Sequence, residues 1–305
     1  MGRYIYKRFI QGIISLLILG SIIFVLARIT GNPVDMLLPP DATRAEREYM
    51  IHQLGLDRPY HVQYFEFMSS AVRGDLGESI RFGRPNTELF FERFPNTLRL
   101  VGVALVLAML IGIPLGVIAG SNRGSPLDSS ARLIAVVGMA APSFWVGLVL
   151  MQVFSVNLGW LPSARMGGIQ HYILPAFSMA FFKLAGMTRL LRSSMVETLD
   201  TEFVKLARIK GVSSKMVIWK HCLRNSLIPA VTFLGMYIAF GMGGSTVIET
   251  VFAWPGVGRL IYEGIMFRDY PLVQSCVLVT GAGIVVINFL IDVLYSYIDP
   301  RIRYG

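Results

Sequence analysis

Apolar residues in this chain come in long blocks, and the polar residues are collected between them. Six blocks are candidates for spanning helices: Phe9 to Ala27, Leu100 to Ala119, Leu133 to Val156, Ile173 to about Leu190, Leu227 to Ile248, and Leu272 to Ile291. A bilayer core requires about 20 apolar residues as helix, because lipid offers the backbone no hydrogen-bond partner. Only the fourth block carries a charge well inside it, Lys183. The pattern predicts an all-α integral membrane protein with six transmembrane helices.

One polar segment differs from the other loops. Between Arg189 and Arg224 eight cations (Arg189, Arg192, Lys205, Arg208, Lys210, Lys215, Lys220, Arg224) accompany three acids (Glu197, Asp200, Glu202). Apolar residues recur at Val196, Leu199, Phe203 and Leu206, which predicts an amphipathic helix with a greasy stripe, outside the membrane. That helix should end at Gly211, which can take a positive φ, and Ser213 should cap the next one. The two would form a rigid elbow able to transmit force, or, more plainly, a connection between two spans.

Composition agrees with the pattern. Of 305 residues 54% are hydrophobic, too many for an ordinary soluble domain. The net charge of +9 resides in the amino terminus and the short loops, where topology accounts for it, so it does not point to a nucleic-acid partner. Lys and Arg resist translocation during insertion. Arg3, Lys7, Arg8, Arg123, Arg132, the eight cations of the island, Arg301 and Arg303 fall on one side, against Arg165, Arg259 and Arg268 on the other. Both termini are therefore expected in the cytoplasm.

The expected organisation is a cytoplasmic amino terminus with the first span (1–30), a long helical extracytoplasmic loop (31–97), a five-helix core (98–298) carrying the cytoplasmic loop 189–226, and a cytoplasmic tail (299–305). A signal peptide is the rival reading of the first span, with Val25-Leu26-Ala27 as the cleavage site. Its apolar run exceeds the usual ~7 to 15 residues of a signal core.

Within the outer loop, Thr43-Arg44-Ala45-Glu46 reads as a capping box, with the helix stopping at Leu54-Gly55. Pro59 can open a second helix and Gly74 can close it. Inside the membrane Gly112, Gly116 and Gly120 line one helix face, which suits close helix packing. Gly235, Gly241, Gly243 and Gly244 would pack closely too, or bend the fifth helix. Lys183, near the midplane, should face water or a carboxylate. It would line the translocation path and attract an anionic group of a cargo, snorkel, or pair with Asp292 or Glu249.

Cys222 and Cys276 should lie at different depths, which argues against a disulfide, and the four histidines show no metal-site spacing. No Gly-x-x-x-x-Gly-Lys-Ser/Thr run is present, so no phosphate cradle and no ATP hydrolysis by this polypeptide are expected. Neither His-Glu-x-x-His nor Gly-x-Ser-x-Gly occurs, which argues against an intramembrane hydrolase. Internal repeats and mid-span acids, the marks of an ion-coupled carrier, are not evident either.

A series of motifs carries a family resemblance nearly end to end. The outer loop holds Leu54-Gly55-Leu56-Asp57-Arg58-Pro59, Gly74-Asp75-Leu76-Gly77-Glu78-Ser79 and Arg93-Phe94-Pro95-Asn96-Thr97-Leu98. Trp160-Leu161-Pro162, Ala207-Arg208-Ile209-Lys210-Gly211 and His221-Cys222-Leu223-Arg224-Asn225-Ser226-Leu227-Ile228-Pro229 follow. Val251-Phe252-Ala253-Trp254-Pro255-Gly256-Val257-Gly258-Arg259, Arg268-Asp269-Tyr270-Pro271 and Asp299-Pro300-Arg301-Ile302-Arg303 complete the series. In this order they resemble the membrane subunit of an ATP-binding-cassette importer, of the dipeptide, oligopeptide, nickel and glutathione permease group. Ala207 and Gly211 keep the spacing of the family's cytoplasmic signature. Lys205 and Leu206 replace its Glu-Ala start, and Arg224 replaces its Pro, as in the peptide-permease branch.

The resemblance implies that this chain forms half of a path for di- or oligopeptides, with a nickel or metal chelate, or glutathione, as alternative cargo. It implies a homologous second permease, two ATPase subunits carrying ATP and Mg, and an extracytoplasmic substrate-binding protein, with no cofactor in this chain. It places the ATPase contact on Glu202, Phe203, Lys205, Leu206, Ala207, Arg208, Lys210, Gly211, Val212, Ser213, His221, Arg224 and Asn225.

Overall fold

A computed structural model describes residues 2–30, 34–39, 41–241 and 246–298. The tail 299–305, with Arg301 and Arg303, and the pair Gly243 and Gly244 lie outside the described residues, which contain helices and a single isolated bridge, Glu78 to Pro85. The helices in order are α1 (Gly2–Thr30), α2 (Val34–Leu37), α3 (Arg44–Gln53), α4 (Tyr60–Val72), α5 (Asn86–Ser121), α6 (Pro126–Ala140) and α7 (Ser143–Leu150), which runs on as a π-helical segment (Met151–Asn157). Then come α8 (Gln170–Leu199), α9 (Glu202–Ile209), α10 (Ser214–Met216), a second π-helical segment (Val217–Cys222), α11 (Leu223–Gly241), α12 (Thr246–Val251), α13 (Val257–Met266) and α14 (Tyr270–Ile298).

Four helices, α1, α5, α8 and α14, are long and apolar enough to cross a membrane. The expected third span is not a straight helix. It is split into α6 and α7, bent by 105° at a short break, and the two make a fifth span if counted as one. Pro142 causes the break: the residue before a proline is pushed out of the α region, and Ala141 accordingly has ψ 125°. The expected fifth span, Leu227 to Ile248, crosses residues outside the description, and its described parts are α11 and α12.

By compactness the chain divides into two units. The first comprises α1 to α4, residues 86–97 of α5, α13 and α14. Here α1 packs along α14 through small residues, since a Cβ on Gly12 would lie 3.0 Å from Val285 and one on Gly281 2.1 Å from Leu19. Thr43 makes the expected capping box with Glu46, and α3 closes at Leu54 with Gly55 at φ 62°. Pro59 precedes α4 as its cap residue instead of opening it, and Gly74 (φ 82°) follows its end. The unit's core is Leu89, Phe90, Val257, Leu260, Leu272 and Cys276. Buried Asp269 accepts from the Ser79 hydroxyl and from the amides of Arg81 and Leu272, which fixes the Gly-Asp-Leu-Gly-Glu-Ser motif to the start of α14.

The second unit holds residues 98–121 of α5 and the helices α6 to α11, together with most of α12. Its central element is α8, 30 residues and so about 45 Å long. The glycine face of α5 meets α8: a Cβ on Gly112, Gly116 or Gly120 would lie 3.0, 2.8 or 2.6 Å from the Cβ of Met187, Leu191 or Met195. Gly138 of α6 meets Ala185 in the same way, at 2.6 Å. Gly241, on α11, is equally close to Val101, so at this position too the packing role holds. Trp254 is fully buried, edge-on to Tyr172 at 4.6 Å.

Candidate functional site

The basic island forms an elbow within the second unit, and it begins inside a span helix. α8 carries Arg189, Arg192 and Glu197 without interruption to Leu199. The predicted stripe is divided, because Thr201 takes extended backbone (ψ 154°) and its hydroxyl donates to the Thr198 carbonyl, which ends α8 and opens α9. Val196 and Leu199 are half-buried on α8, whereas Phe203 and Leu206 stand exposed on α9.

At the end of α9 the chain turns as expected. Gly211 has φ 77°, its amide donates to Arg208 O, and the Val212 amide donates to Ala207 O. These are the two bonds of a Schellman motif, which satisfies carbonyls the helix end would leave open. Ser213 occupies the following cap position, but its side chain makes no capping bond. Ser213, Ser214 and Lys215 are all exposed, so water is available to the first-turn amides.

The inner side of the elbow is apolar. Val204, Val217 and Cys222 pack against Leu191 and Met195 of α8, with Ala207, Val212 and Leu223 at the margin. Ser226, buried on α11, bonds to Thr198 at 2.9 Å and holds the returning helix against the end of α8. Such packing and bonding keep the elbow rigid relative to α8. Its outer side exposes Phe203, Leu206, Ile209 (81%), Met216 and Trp219 amid Lys205, Arg208, Lys210, Lys215, Lys220 and Arg224. Several large apolar side chains left exposed among cations on one short elbow suit docking to another protein.

The site residues thus divide. Phe203, Lys205, Leu206, Arg208, Lys210, Arg224 and Glu202 are exposed, and Lys205 meets Glu202 at 2.7 Å in a surface pair worth little. Ala207 and Val212 serve the inner core. Gly211 and Ser213 form the turn, His221 is half-buried, and exposed Asn225 bonds back to His221 O at 3.2 Å. Ile209, Met216 and Trp219 were not singled out by the pattern, because the stripe was followed only as far as Leu206.

Lys183 lies in the middle of α8 and is nine-tenths buried. Its ammonium donates to Met179 O at 2.8 Å and stands 5.4 Å from the centre of the Tyr237 ring. Asp292, one of the partners considered for it, belongs to the first unit and meets Arg8 there at 3.3 Å. An ammonium has three donors, of which the structure occupies one.

Residues 112–304 match the family model described as "Binding-protein-dependent transport system inner membrane component", and residues 1–101 match that of its amino-terminal part. The chain belongs to this family. This permease is 39% identical to "Oligopeptide transport system permease protein AppB" of Bacillus subtilis (strain 168), with both chains covered in full. It is 40% identical to "Glutathione transport system permease protein GsiC" of Escherichia coli (strain K12), again with full coverage of both. A chain of the MetNI methionine ABC transporter, solved in an inward-facing conformation, has the same fold over 69% of the permease and 96% of that chain, with TM-score 0.59 and 16% identity. The permease is accordingly an inner-membrane protein and a transport subunit of an ABC importer.

Asp128 of the permease, absent from the sequence reading, is 1% exposed and accepts from Arg192 through both oxygens, at 2.6 and 2.9 Å. The only local signal was the run Ser125-Pro126-Leu127-Asp128, a helix start with Ser as cap, Pro first and an acid in the first turn. That run could foretell the helix, but not the arginine 64 positions away.

Proposed function

We propose that this permease forms half of a path for di- and oligopeptides, delivered by an extracytoplasmic binding protein and driven by two separate ATPase subunits that bind ATP and Mg. A homologous second permease would supply the other half. Both termini would lie in the cytoplasm, and six spans would put the elbow on that face. The exposed apolar and basic surface of the elbow, fixed to α8 by a buried core, carries the reading. It gives a soluble motor something to grip and a stiff helix through which to move the membrane part. Glutathione is the second reading for the cargo, since a glutathione permease is as similar to this chain as an oligopeptide permease is. Both cargoes carry carboxylates, and the two remaining donors of Lys183 could receive one when the path opens.

The test is reconstitution of the chain with its partners in liposomes. ATP hydrolysis should rise when the binding protein is loaded with peptide, and a cysteine at Lys205 should crosslink to an ATPase subunit. Uptake by this chain alone, without nucleotide, or labelling of Lys205 from outside intact cells, would overturn the reading. Stimulation by glutathione but not by peptides would decide for the second cargo. In the same assay Lys183→Met should weaken uptake of carboxylate-bearing cargo, and unchanged affinity and rate would remove Lys183 from the path.

A further inference from the structure

The short connection between α5 and α6 is fastened to α8 immediately beside the elbow. Asp128 sits in the first turn of α6, and its carboxylate receives the Arg192 guanidinium, the Gly124 amide at 3.0 Å and, at 3.6 Å, Arg132. Gly120 packs against the same stretch of α8, where a Cβ would lie 3.0 Å from the Arg192 carbonyl and 2.6 Å from the Met195 Cβ. Leu191 and Met195, which flank Arg192 in sequence, pack into the elbow's core. One turn of α8 therefore meets the elbow and the end of α5 through its apolar residues, and the start of α6 through its arginine.

We infer that Asp128 and Arg192 are positioning residues for coupling, forming the joint through which displacement of the elbow is passed to α6. The inference rests on the elbow being the ATPase contact, as proposed above. A planar guanidinium bonded to both oxygens of a buried carboxylate fixes orientation as well as distance, unlike a single apolar contact. The Asp128 carboxylate is removed from water, and Arg132 on its own helix approaches it only at 3.6 Å, so pulling the joint apart would leave a buried charge without its two-point partner. The elbow and the start of α6 then move as one body.

The complex reconstituted with its partners tests this. Asp128→Asn keeps the shape and removes the charge. Arg192→Lys keeps the charge and loses the two-point contact. In Asp128→Asn the ATP hydrolysed per cargo imported should rise about tenfold, and in Arg192→Lys by a smaller factor, while the amount of assembled complex and the crosslink from Lys205 to the ATPase stay as in the parent. An unchanged ratio in both variants would overturn the inference, as would uptake and hydrolysis falling together in step with lost assembly, which would make the pair a folding element only. Failure of the elbow reading looks different: the parent complex itself would give no crosslink.

Discussion

The helices α1 and α8 are of nearly equal length, 29 and 30 residues, yet the more apolar one is the less buried. Of the most apolar stretch of α1 only 17% is enclosed by protein, against 61% for α8. Phe9, Ile14, Leu17, Ile18 and Ile22 of α1 stand exposed, while α8 encloses Ser178, Lys183, Gly186 and Thr188. In a soluble protein the order would be reversed. Lipid tails are as apolar as leucine, so an apolar side chain gains nothing by leaving them, and helices associate through close packing and polar contacts instead. Small and polar residues thus share the interior of α8 with its buried Leu and Met side chains, while large aliphatic residues of α1 face the solvent that suits them.

Overpacking the α8 interior would have the largest effect. Gly120→Leu would drive a side chain into Met195 and the Arg192 backbone, and the variant should fail to accumulate in membranes; normal yield and thermal stability in detergent would refute the close contact. Next comes a matched pair of truncations. Leu191→Ala, fully buried on α8, should cost about 2–5 kcal/mol, and Ile18→Ala on the exposed face of α1 should stay within about 0.5 kcal/mol. Equal losses in thermal unfolding would break the comparison, since α1 would then be covered by protein.

The smallest effect lies outside the membrane. Thr43→Ala should speed amide exchange in the first turn of α3 and leave α8 unchanged. Acid should act in the same direction. The backbone amide of Thr43, and then its hydroxyl, hold the Glu46 carboxyl below its ordinary value. This contribution is therefore complete above the unfolded value and disappears as pH falls through the lowered one. Exchange in that turn that does not respond to either change would show that the cap contributes nothing.

Local signals were legible because a helix start or stop is encoded within one turn. The capping box at Thr43, the closure at Gly55 and the positive φ of Gly211 all appear where the residues indicate. The close-packing face of Gly112, Gly116 and Gly120 was legible too, since it needs only a spacing of four. In the elbow, Gly211 and the basic character were readable, but the division of the stripe at Thr201 was not. A helix pattern continues across Asp200 and Thr201, and what stops it is the backbone turn there, fixed as α9 folds back onto Leu191 and Met195.

By itself, then, the sequence determined that the chain lives in lipid, where the outer helices α3 and α4 lie and where α9 ends, and which segment stands out as a basic elbow. Tertiary structure alone decided that the glycine face of α5 meets α8 and that Asp128 finds Arg192. The reason is range. Backbone propensity and capping act over a few residues, whereas the choice of partner depends on side chains brought together from 64 or more positions away, and no short window of sequence contains both halves of such a contact.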